Sequence, residues 1–201
     1  MKIAKPIQNL IESFERLPGI GPKTAQRLTY YLLHVPQNEL DKFASSVASL
    51  KKDTVVCSIC LSVGEEDPCS ICADTKRDKD LICVVESPLD VLAIEKGGKY
   101  NGVYHVLHGR IDPLNNIGPD EIYINELIGR AGKLNGGSEI ILATNPTMEG
   151  EATAMYVSKK LKSQNSKVKI SRIGRGLPMG ADLEYADEIT LMNAMEGRSD
   201  Y

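Results

Sequence analysis

Residues 57–72 have the sequence CSICLSVGEEDPCSIC and contain four of the five cysteines in this 201-residue chain. Cys57 and Cys60 form one CxxC pair, and Cys69 and Cys72 form a second pair after a short acidic loop. Each pair makes a tight turn that presents both sulfur atoms to the same side, so two neighbouring pairs can surround one tetrahedral ion with four thiolates. Four protein ligands leave no open position for water, so the spacing predicts a structural metal site.

Zn²⁺, one ion per chain, is the metal that this pattern favours. Iron also accepts four thiolates, but a structural site needs no redox chemistry and zinc has none. The alternatives are two disulfides or four unrelated buried thiols. The fifth cysteine, Cys83, lies in the apolar run 81–85 and is expected to be a buried structural thiol.

No apolar run in the chain is long enough to span a bilayer. The chain begins with an amphipathic pattern in place of the apolar core of a signal peptide. A cytoplasmic location is therefore expected. The net charge of −3 is unevenly distributed. Residues 1–56 contain eight basic and five acidic side chains, whereas acidic side chains are in excess by three in each of the segments 57–80 and 81–201. The N-terminal segment is the electrostatic candidate for contacting an anion.

Apolar residues at helical spacing predict three helices in the N-terminal module, at about 7–17, 25–32 and 40–50. Two glycines flank Ile20 in the turn between the first two helices. Glycine lets the backbone approach a ligand closely, and the N–H groups at the start of a helix attract anions. Lys23 and Arg27 follow one helical turn apart and add positive charge to the same face.

This turn resembles the helix-hairpin-helix motif, in which a Gly-apolar-Gly pattern binds DNA phosphates without reading bases. The resemblance implies a DNA-binding site made of Gly19, Ile20, Gly21, Lys23 and Arg27. The alternative is an ordinary helical hairpin with glycine and proline in its turn.

Four strands are predicted after the cysteines, at 81–85, 103–107, 139–143 and 168–173, and predicted helices separate them. Strands that alternate with helices indicate a mostly parallel sheet covered on both faces. Functional groups in such sheets lie at the carboxyl ends of the strands. Glu86 follows the first of these strands, and the segment 145–151, NPTMEGE, follows the third.

This arrangement resembles the Toprim domain of topoisomerases, primases and some nucleases, where a glutamate and an acidic motif together hold magnesium. In type IA topoisomerases the second motif is DPDREGE, whereas Asn145 and Thr147 stand here in place of both aspartates. An amide and a hydroxyl remove two negative charges that Mg²⁺ prefers. The chain is therefore predicted to be a non-catalytic Toprim protein, with no catalytic residues.

The order of the modules resembles the RecR family of bacterial recombination mediators over nearly the whole chain. The segments with this resemblance are LPGIGPK at 17–23, ATNPT at 143–147, EGEATA at 149–154 and DLEYAD at 182–187. The resemblance implies a multi-module α/β chain with four parts: a helix-hairpin-helix module at 1–54, a four-cysteine zinc finger at 55–78, a Toprim domain at 79–174, and a C-terminal segment at 175–201 that packs or oligomerises.

The RecR resemblance further implies a nucleoid-associated protein that forms a tetrameric clamp-like ring on double-stranded and gapped DNA. With RecO, and in many bacteria RecF, such proteins help to load RecA onto gapped DNA covered by single-strand-binding protein. The acidic Toprim surface is the part associated with RecO, which implies partner-binding roles for Glu86, Asp90, Glu149 and Glu151. Two other functions stay open: a magnesium-dependent nuclease or topoisomerase-like enzyme, and a monomeric zinc-ribbon nucleic-acid adaptor.

Overall fold

A computed structural model describes residues 3–164, 167–177, 179–180 and 182–198 of the chain. The ends of the predicted N-terminal module and C-terminal segment, residues 1–2 and 199–201, lie outside the described residues. The chain divides into two compact units, Met1–Thr54 and Val55–Tyr201. None of the described helices is both long and apolar enough to cross a membrane.

The first unit consists of three helices: α1 (Lys5–Glu15), α2 (Pro22–Leu32) and α3 (Gln37–Ser49). This agrees with the three helices predicted from the apolar spacing. Helices α1 and α2 pack against each other, and Ile11 in α1 and Ala25 in α2 are buried. Helix α3 contains no buried residue, and its apolar side chains Phe43 and Val47 are at least half exposed. The apolar face of α3 is therefore not used by the hairpin of α1 and α2.

The second unit begins with a small antiparallel pair, β1 (Val55–Val56) and β2 (Val63–Gly64), followed by the short helix α4 (Ser70–Ala73). So little regular structure buries few apolar side chains, and the cluster of buried residues in this region consists of the four cysteines. A metal ion is the kind of crosslink that replaces a missing apolar core in a segment of this size.

The predicted parallel sheet is confirmed by four strands: β3 (Asp78–Val85), β4 (Gly102–Val106), β5 (Glu139–Leu142) and β6 (Lys169–Arg172). They lie in the order β4-β3-β5-β6, and each neighbouring pair is parallel. The helices that connect them are α5 (Pro88–Lys96), α6 (Ile124–Ala131) and α7 (Met148–Gln164).

The core of this unit lies between the sheet and its helices. Ile82, Leu107, Ile140 and Val157 are among the fully buried members of one cluster, and Cys83, Val91 and Tyr104 belong to a second cluster. Such burial of each aliphatic side chain contributes about 1.5–3 kcal/mol. Strands buried on both faces form continuous apolar runs, which explains why the predicted strands lie within one or two residues of the observed ones at most ends.

The start of β3 differs from the prediction. The strand begins at Asp78, three residues before the predicted start at 81, in a polar segment that precedes the apolar run. Asp78 pairs with Gly102, with an irregular register between Asp78 and Ile82. Backbone pairing extends the strand here without burial of side chains. The apolar pattern of a sequence does not indicate such an extension, because it detects only buried residues.

The chain ends with a 3-10 turn (Leu183–Tyr185) and α8 (Glu188–Glu196). The side chain of Asp187 accepts a hydrogen bond from the N–H of Thr190 at 2.9 Å and thereby caps this helix. Like α3, α8 has no buried residue, and Ile189, Met192 and Met195 are all exposed.

Candidate functional site

The four cysteines of the paired CxxC turns converge on one point. Cys57 follows β1, Cys69 precedes α4, and Cys72 lies inside α4. All four side chains are buried, and their sulfur atoms lie within 4.8 Å of one another. Sulfur atoms bound at about 2.3 Å to one tetrahedral zinc ion would be roughly 3.8 Å apart, close to the 3.6 Å between those of Cys60 and Cys69. These residues therefore fit a single four-coordinate metal ion.

The disulfide alternative is wrong, because all five cysteines are free and a disulfide requires sulfur atoms about 2.05 Å apart. The alternative of four unrelated thiols is also wrong, since the four sulfur atoms form one cluster. Cys83 lies apart in the sheet core, where burial raises the pKa of its thiol to about 12. A thiol with this pKa is protonated at neutral pH and is a poor nucleophile.

Three consecutive carbonyl groups attach the cysteine loop to the α/β sheet. The carbonyl of Cys60 accepts a hydrogen bond at 2.8 Å from the N–H of Val106, the last residue of β4. The carbonyl of Ile59 accepts one from the guanidinium of Arg130 at 3.4 Å, and that of Leu61 is 2.5 Å from Nε2 of His108. The metal site is thereby held at one edge of the sheet, through the backbone on both sides of Cys60.

The charges around the sulfur atoms also suit a metal centre. Burial raises the pKa of the Cys57 thiol. Hydrogen bonds from the backbone of Cys69, Cys60 and Ile59 have the larger combined effect and lower the pKa to about 7. Cys60 has a raised pKa because it shares a hydrogen bond with Cys72 and is buried. Four thiolates around a divalent ion have a net charge of −2, and the guanidinium of Arg130 beside them offsets part of that charge.

The carboxylate of Glu86 lies at the carboxyl end of β3 and is 5 % exposed. One of its oxygens accepts a hydrogen bond from the backbone N–H of Asn145, and the other accepts one from the side-chain amide of Asn145, each at 2.8 Å. Arg110 lies 3.8 Å from the same carboxylate. A buried carboxylate requires donors or a cation, and Asn145 supplies the donors where Toprim enzymes have an aspartate.

The second residue that replaces an aspartate, Thr147, caps helix α7. Its hydroxyl accepts a hydrogen bond from the N–H of Gly150 at 3.1 Å. A Cβ atom added at Gly150 would lie 2.1 Å from the carbonyl oxygen of Asn145 and 2.8 Å from the Glu86 carboxylate. Glycine is therefore required at 150 for α7 to start so close to this carboxylate. Asn145 and Thr147 both have structural partners, which explains an amide and a hydroxyl at these positions.

The other three acidic residues predicted to bind a partner have different surroundings. Asp90 accepts a hydrogen bond from the backbone N–H of Ser87 at 2.8 Å and thus caps α5. Glu151 forms ion pairs with Arg172, at 2.7 Å, and with Arg175. Glu149 is half-buried, and its carboxylate has no ion pair or hydrogen bond among the described residues. Glu149 is the member of the predicted set that is available for a direct contact.

The predicted DNA-binding residues lie together in the first unit. Gly19 has a φ of +80°, in the left-handed region that favours glycine, and reverses the chain between α1 and α2. Gly21 is the N-cap residue of α2, and Lys23 lies in its first turn. Residues 21–24 line a shallow cavity of about 420 Å³ at this helix start. Lys23 and Arg27 are exposed and make no ion pair within the described part of the chain.

One group of charged residues was not predicted from the sequence. Lys159 and Lys162 on α7 line a cavity of about 580 Å³ together with Arg172 and Arg175, on and after β6. A local charge count contains the signal: the segment 152–181 has seven basic and no acidic side chains. The count over 81–201 conceals it, because acidic residues elsewhere outweigh it.

Comparison with known proteins places family domains on all but one of the modules. The helix-hairpin-helix domain of RecR matches residues 7–50, a Toprim domain matches residues 80–174, and the C-terminal domain of RecR matches residues 176–199. A curated relative, "Recombination protein RecR" of Heliobacterium modesticaldum, is 50 % identical over 195 residues, which cover 97 % of this chain and 96 % of the relative.

We predict that the double substitution Cys57→Ser, Cys60→Ser abolishes binding of one metal ion per chain and lowers the free energy of unfolding by several kcal/mol, because metal ligation contributes about 10–16 kcal/mol in zinc-finger peptides. Elemental analysis and urea unfolding check both effects. Cys83→Ala is the matched control, which should lose stability through its cavity but keep the metal. A Cys57→Ser, Cys60→Ser variant with full metal content would contradict the metal site.

We predict that Asn145→Asp lowers the free energy of unfolding by about 1–3 kcal/mol, because it removes an amide donor from Glu86 and places a second carboxylate beside it. Mg²⁺ should restore part of this loss, since a divalent cation offsets two facing carboxylates. Urea unfolding with and without Mg²⁺ measures both effects. Asn135→Asp, the same change at an exposed position, is the control. Equal stability of the two variants would show that the Glu86 pair contributes little.

Proposed function

This chain belongs to the RecR family of recombination proteins, and on that premise we propose that it is a DNA-binding mediator of recombinational repair that does not itself cut or join strands. The observation that supports this most directly is the pairing of Glu86 with Asn145 at 2.8 Å. In a Toprim enzyme two carboxylates would face a magnesium ion at this point. In this chain Asn145 donates hydrogen bonds to both oxygens of the Glu86 carboxylate. Thr147 caps helix α7.

The proposed role of the first unit is to bind DNA without regard to sequence. Gly19, Ile20 and Gly21 bring the backbone close to a phosphate, and the free N–H groups at the start of α2 point toward it. Lys23 and Arg27, both exposed, add two charges. Contacts of this type are made to the phosphate backbone and carry no base information.

The proposed ligand of the cysteine cluster is Zn²⁺, with a structural role. Zinc fits four buried thiolates and takes no part in redox chemistry. The ion would stiffen the loop that the carbonyls of Ile59, Cys60 and Leu61 attach to the sheet. Cys57, Cys60, Cys69 and Cys72 would be its ligands.

The proposed assembly is a ring of several copies of the chain, which meet through two exposed apolar helix faces. Phe43, Val47 and Leu50 form an exposed apolar stripe along and just after α3, and Ile189, Met192 and Met195 form another on α8. A chain with two separate self-complementary faces can form a closed ring, in which each face meets its equivalent on another copy. A tetramer is the smallest even-numbered ring with two distinct interfaces that leaves a central opening. Such a ring would present several weak phosphate contacts at once.

The proposed partners are RecO and RecF, through which the ring would help to load RecA onto gapped DNA covered by single-strand-binding protein. Glu149 supports the RecO contact, because its carboxylate is free among the described residues. Glu86, Asp90 and Glu151 would contribute negative charge to the same partner surface without a direct contact, since each already has a partner within the chain.

We predict that Lys23→Ala, Arg27→Ala weakens binding to gapped duplex DNA for all sequences alike and makes its salt dependence shallower by up to about two in the log–log slope. Binding of RecO should be unchanged. Glu149→Gln should have the reverse effect, with weaker RecO binding and unchanged DNA binding. Fluorescence titration with labelled DNA and calorimetry with RecO measure the two ligands.

Lys51→Ala, Lys52→Ala is a further control for this pair, because it removes the same charge from exposed positions of the first unit. An unchanged salt slope in the Lys23→Ala, Arg27→Ala variant would remove these two residues from the DNA site. Full RecO affinity in the Glu149→Gln variant would remove Glu149 from the partner surface.

We predict that Phe43→Glu, Val47→Glu reduces the mass of the assembly, because it places two charges in an apolar interface between copies. Sedimentation velocity, with and without gapped duplex DNA, measures the mass. Ser45→Glu, Ser49→Glu adds the same charge to the opposite face of α3 and should leave the assembly intact. A monomer in the unmodified protein, or an unchanged mass in the Phe43→Glu, Val47→Glu variant, would contradict the proposed use of this face.

A further inference from the structure

The segment 152–181 is unlike the rest of the chain in its charge. It contains seven basic side chains and no acidic one, in a protein whose acidic residues outnumber its basic residues by 27 to 24. At the average frequency of the chain, about four acidic residues would be expected in a segment of this length. The remainder of the chain therefore has a net charge of −10, against +7 in this segment.

The fold brings four of the seven basic side chains of this segment to the lining of one cavity. Met155, Ser158, Lys159 and Lys162 recur at helical spacing and line the cavity beside β6, so they share one face of α7. Strand β6 is one of the two edge strands of the sheet, and Arg172 is its last residue. We call the group Ser158, Lys159, Lys162, Arg172 and Arg175 the α7–β6 basic surface.

The two lysines of the α7–β6 basic surface are free to bind an anion. Lys159 and Lys162 are exposed, and neither makes an ion pair or hydrogen bond among the described residues. Glu151 is the acidic side chain that lines the same cavity, and Arg172 and Arg175 both pair with it. The four cations and this one carboxylate leave a net charge of +3.

The chemistry of this surface fits phosphate groups arranged along a strand. Lysine, arginine and serine side chains all contact the DNA backbone in complexes, and the hydroxyl of Ser158 has no hydrogen-bond partner within the described residues. Lys159 and Lys162 are separated by about 4.5 Å along the axis of α7, within the reach of adjacent phosphates for side chains of this length.

An acidic protein segment would need apolar anchors at the centre of its contact. Of the apolar side chains that line this cavity, Leu142 and Ala154 are buried, and Met155 is the exposed one. The four cations and the serine therefore make most of the accessible polar surface, which favours phosphate groups.

We propose that the α7–β6 basic surface is a second binding site for the phosphate backbone of DNA, located on the Toprim unit and separate from the helix-hairpin-helix turn. The inference rests on the proposed function in taking DNA as the ligand. Lys159 and Lys162 make the phosphate contacts, and the Glu151 ion pairs orient the two arginines behind them. The Toprim unit thus binds DNA through its surface charges and not through the former magnesium site.

The test is the affinity of the full chain for a fluorescently labelled gapped duplex between about 50 and 200 mM salt. Lys159→Gln, Lys162→Gln should weaken binding on the order of tenfold near 0.1 M salt and make the slope of log affinity against log salt shallower by up to about two. Lys159→Arg, Lys162→Arg should keep both values, because it keeps the charge. Lys96→Gln, Lys99→Gln removes the same charge from exposed positions at the end of α5 and should change neither.

Equal losses in the Lys96→Gln, Lys99→Gln control would overturn the proposal, because they would indicate an effect of net charge alone. Unchanged DNA binding in the Lys159→Gln, Lys162→Gln variant would also overturn it, and loss of binding to polyglutamate in the same variant would then assign the surface to an acidic protein. The Lys23→Ala, Arg27→Ala variant separates the two DNA sites. Normal binding by that variant with loss in the Lys159→Gln, Lys162→Gln variant refutes the helix-hairpin-helix site alone, and the absence of DNA binding by the unmodified chain refutes both.

Discussion

The buried carboxylate of Glu86 is the constraint around which the α/β unit is organised. It ends β3, the strand that has β4 on one side and β5 on the other, and ligands of open parallel sheets bind at such a point. A carboxylate that is 5 % exposed would be strongly unfavourable without donors. Asn145 provides two hydrogen bonds from the loop after β5, and Gly150 lets α7 start against the same group. The loops after two strands and the start of one helix thus depend on one pair of residues.

The pair Glu86 and Asn145 keeps the packing of a Toprim domain but differs from the arrangement that holds magnesium in Toprim enzymes. A Toprim domain needs facing carboxylates to hold magnesium. In this chain the Glu86 carboxylate accepts its hydrogen bonds from Asn145. A fold can keep its packing while its site loses a reaction, because packing requires only that the buried group be hydrogen-bonded. Under the proposed function, the contacts with DNA and with other copies lie elsewhere: at the turn before α2, at the apolar faces of α3 and α8, and along α7 and β6. The four-cysteine loop is attached to β4 through the carbonyl of Cys60.

Much of this arrangement could be predicted from particular residues. Continuous apolar runs located the four strands, since a parallel sheet buries both faces of each strand. The two CxxC pairs are a local pattern with a local consequence, and their four sulfur atoms lie together in the structure as expected. The four acidic residues assigned to a partner surface were not separable in this way. Glu86, Asp90, Glu149 and Glu151 are alike in sequence, but one is bonded to an amide, one caps a helix and one is held by two arginines.

The sequence by itself determined the order of the modules, the parallel sheet, the four cysteines that could hold a metal ion, and the amide and hydroxyl at positions 145 and 147. Each of these is a matter of residue type and short spacing. Only the tertiary structure decided which charged groups are free. Arg172 and Arg175 reach Glu151 across more than twenty residues, and Arg130 reaches the cysteine loop across more than seventy. Lys159 and Lys162, by contrast, have no such partner among the described residues. Pairing over these separations depends on how the strands and helices pack, and no local pattern of residues encodes it.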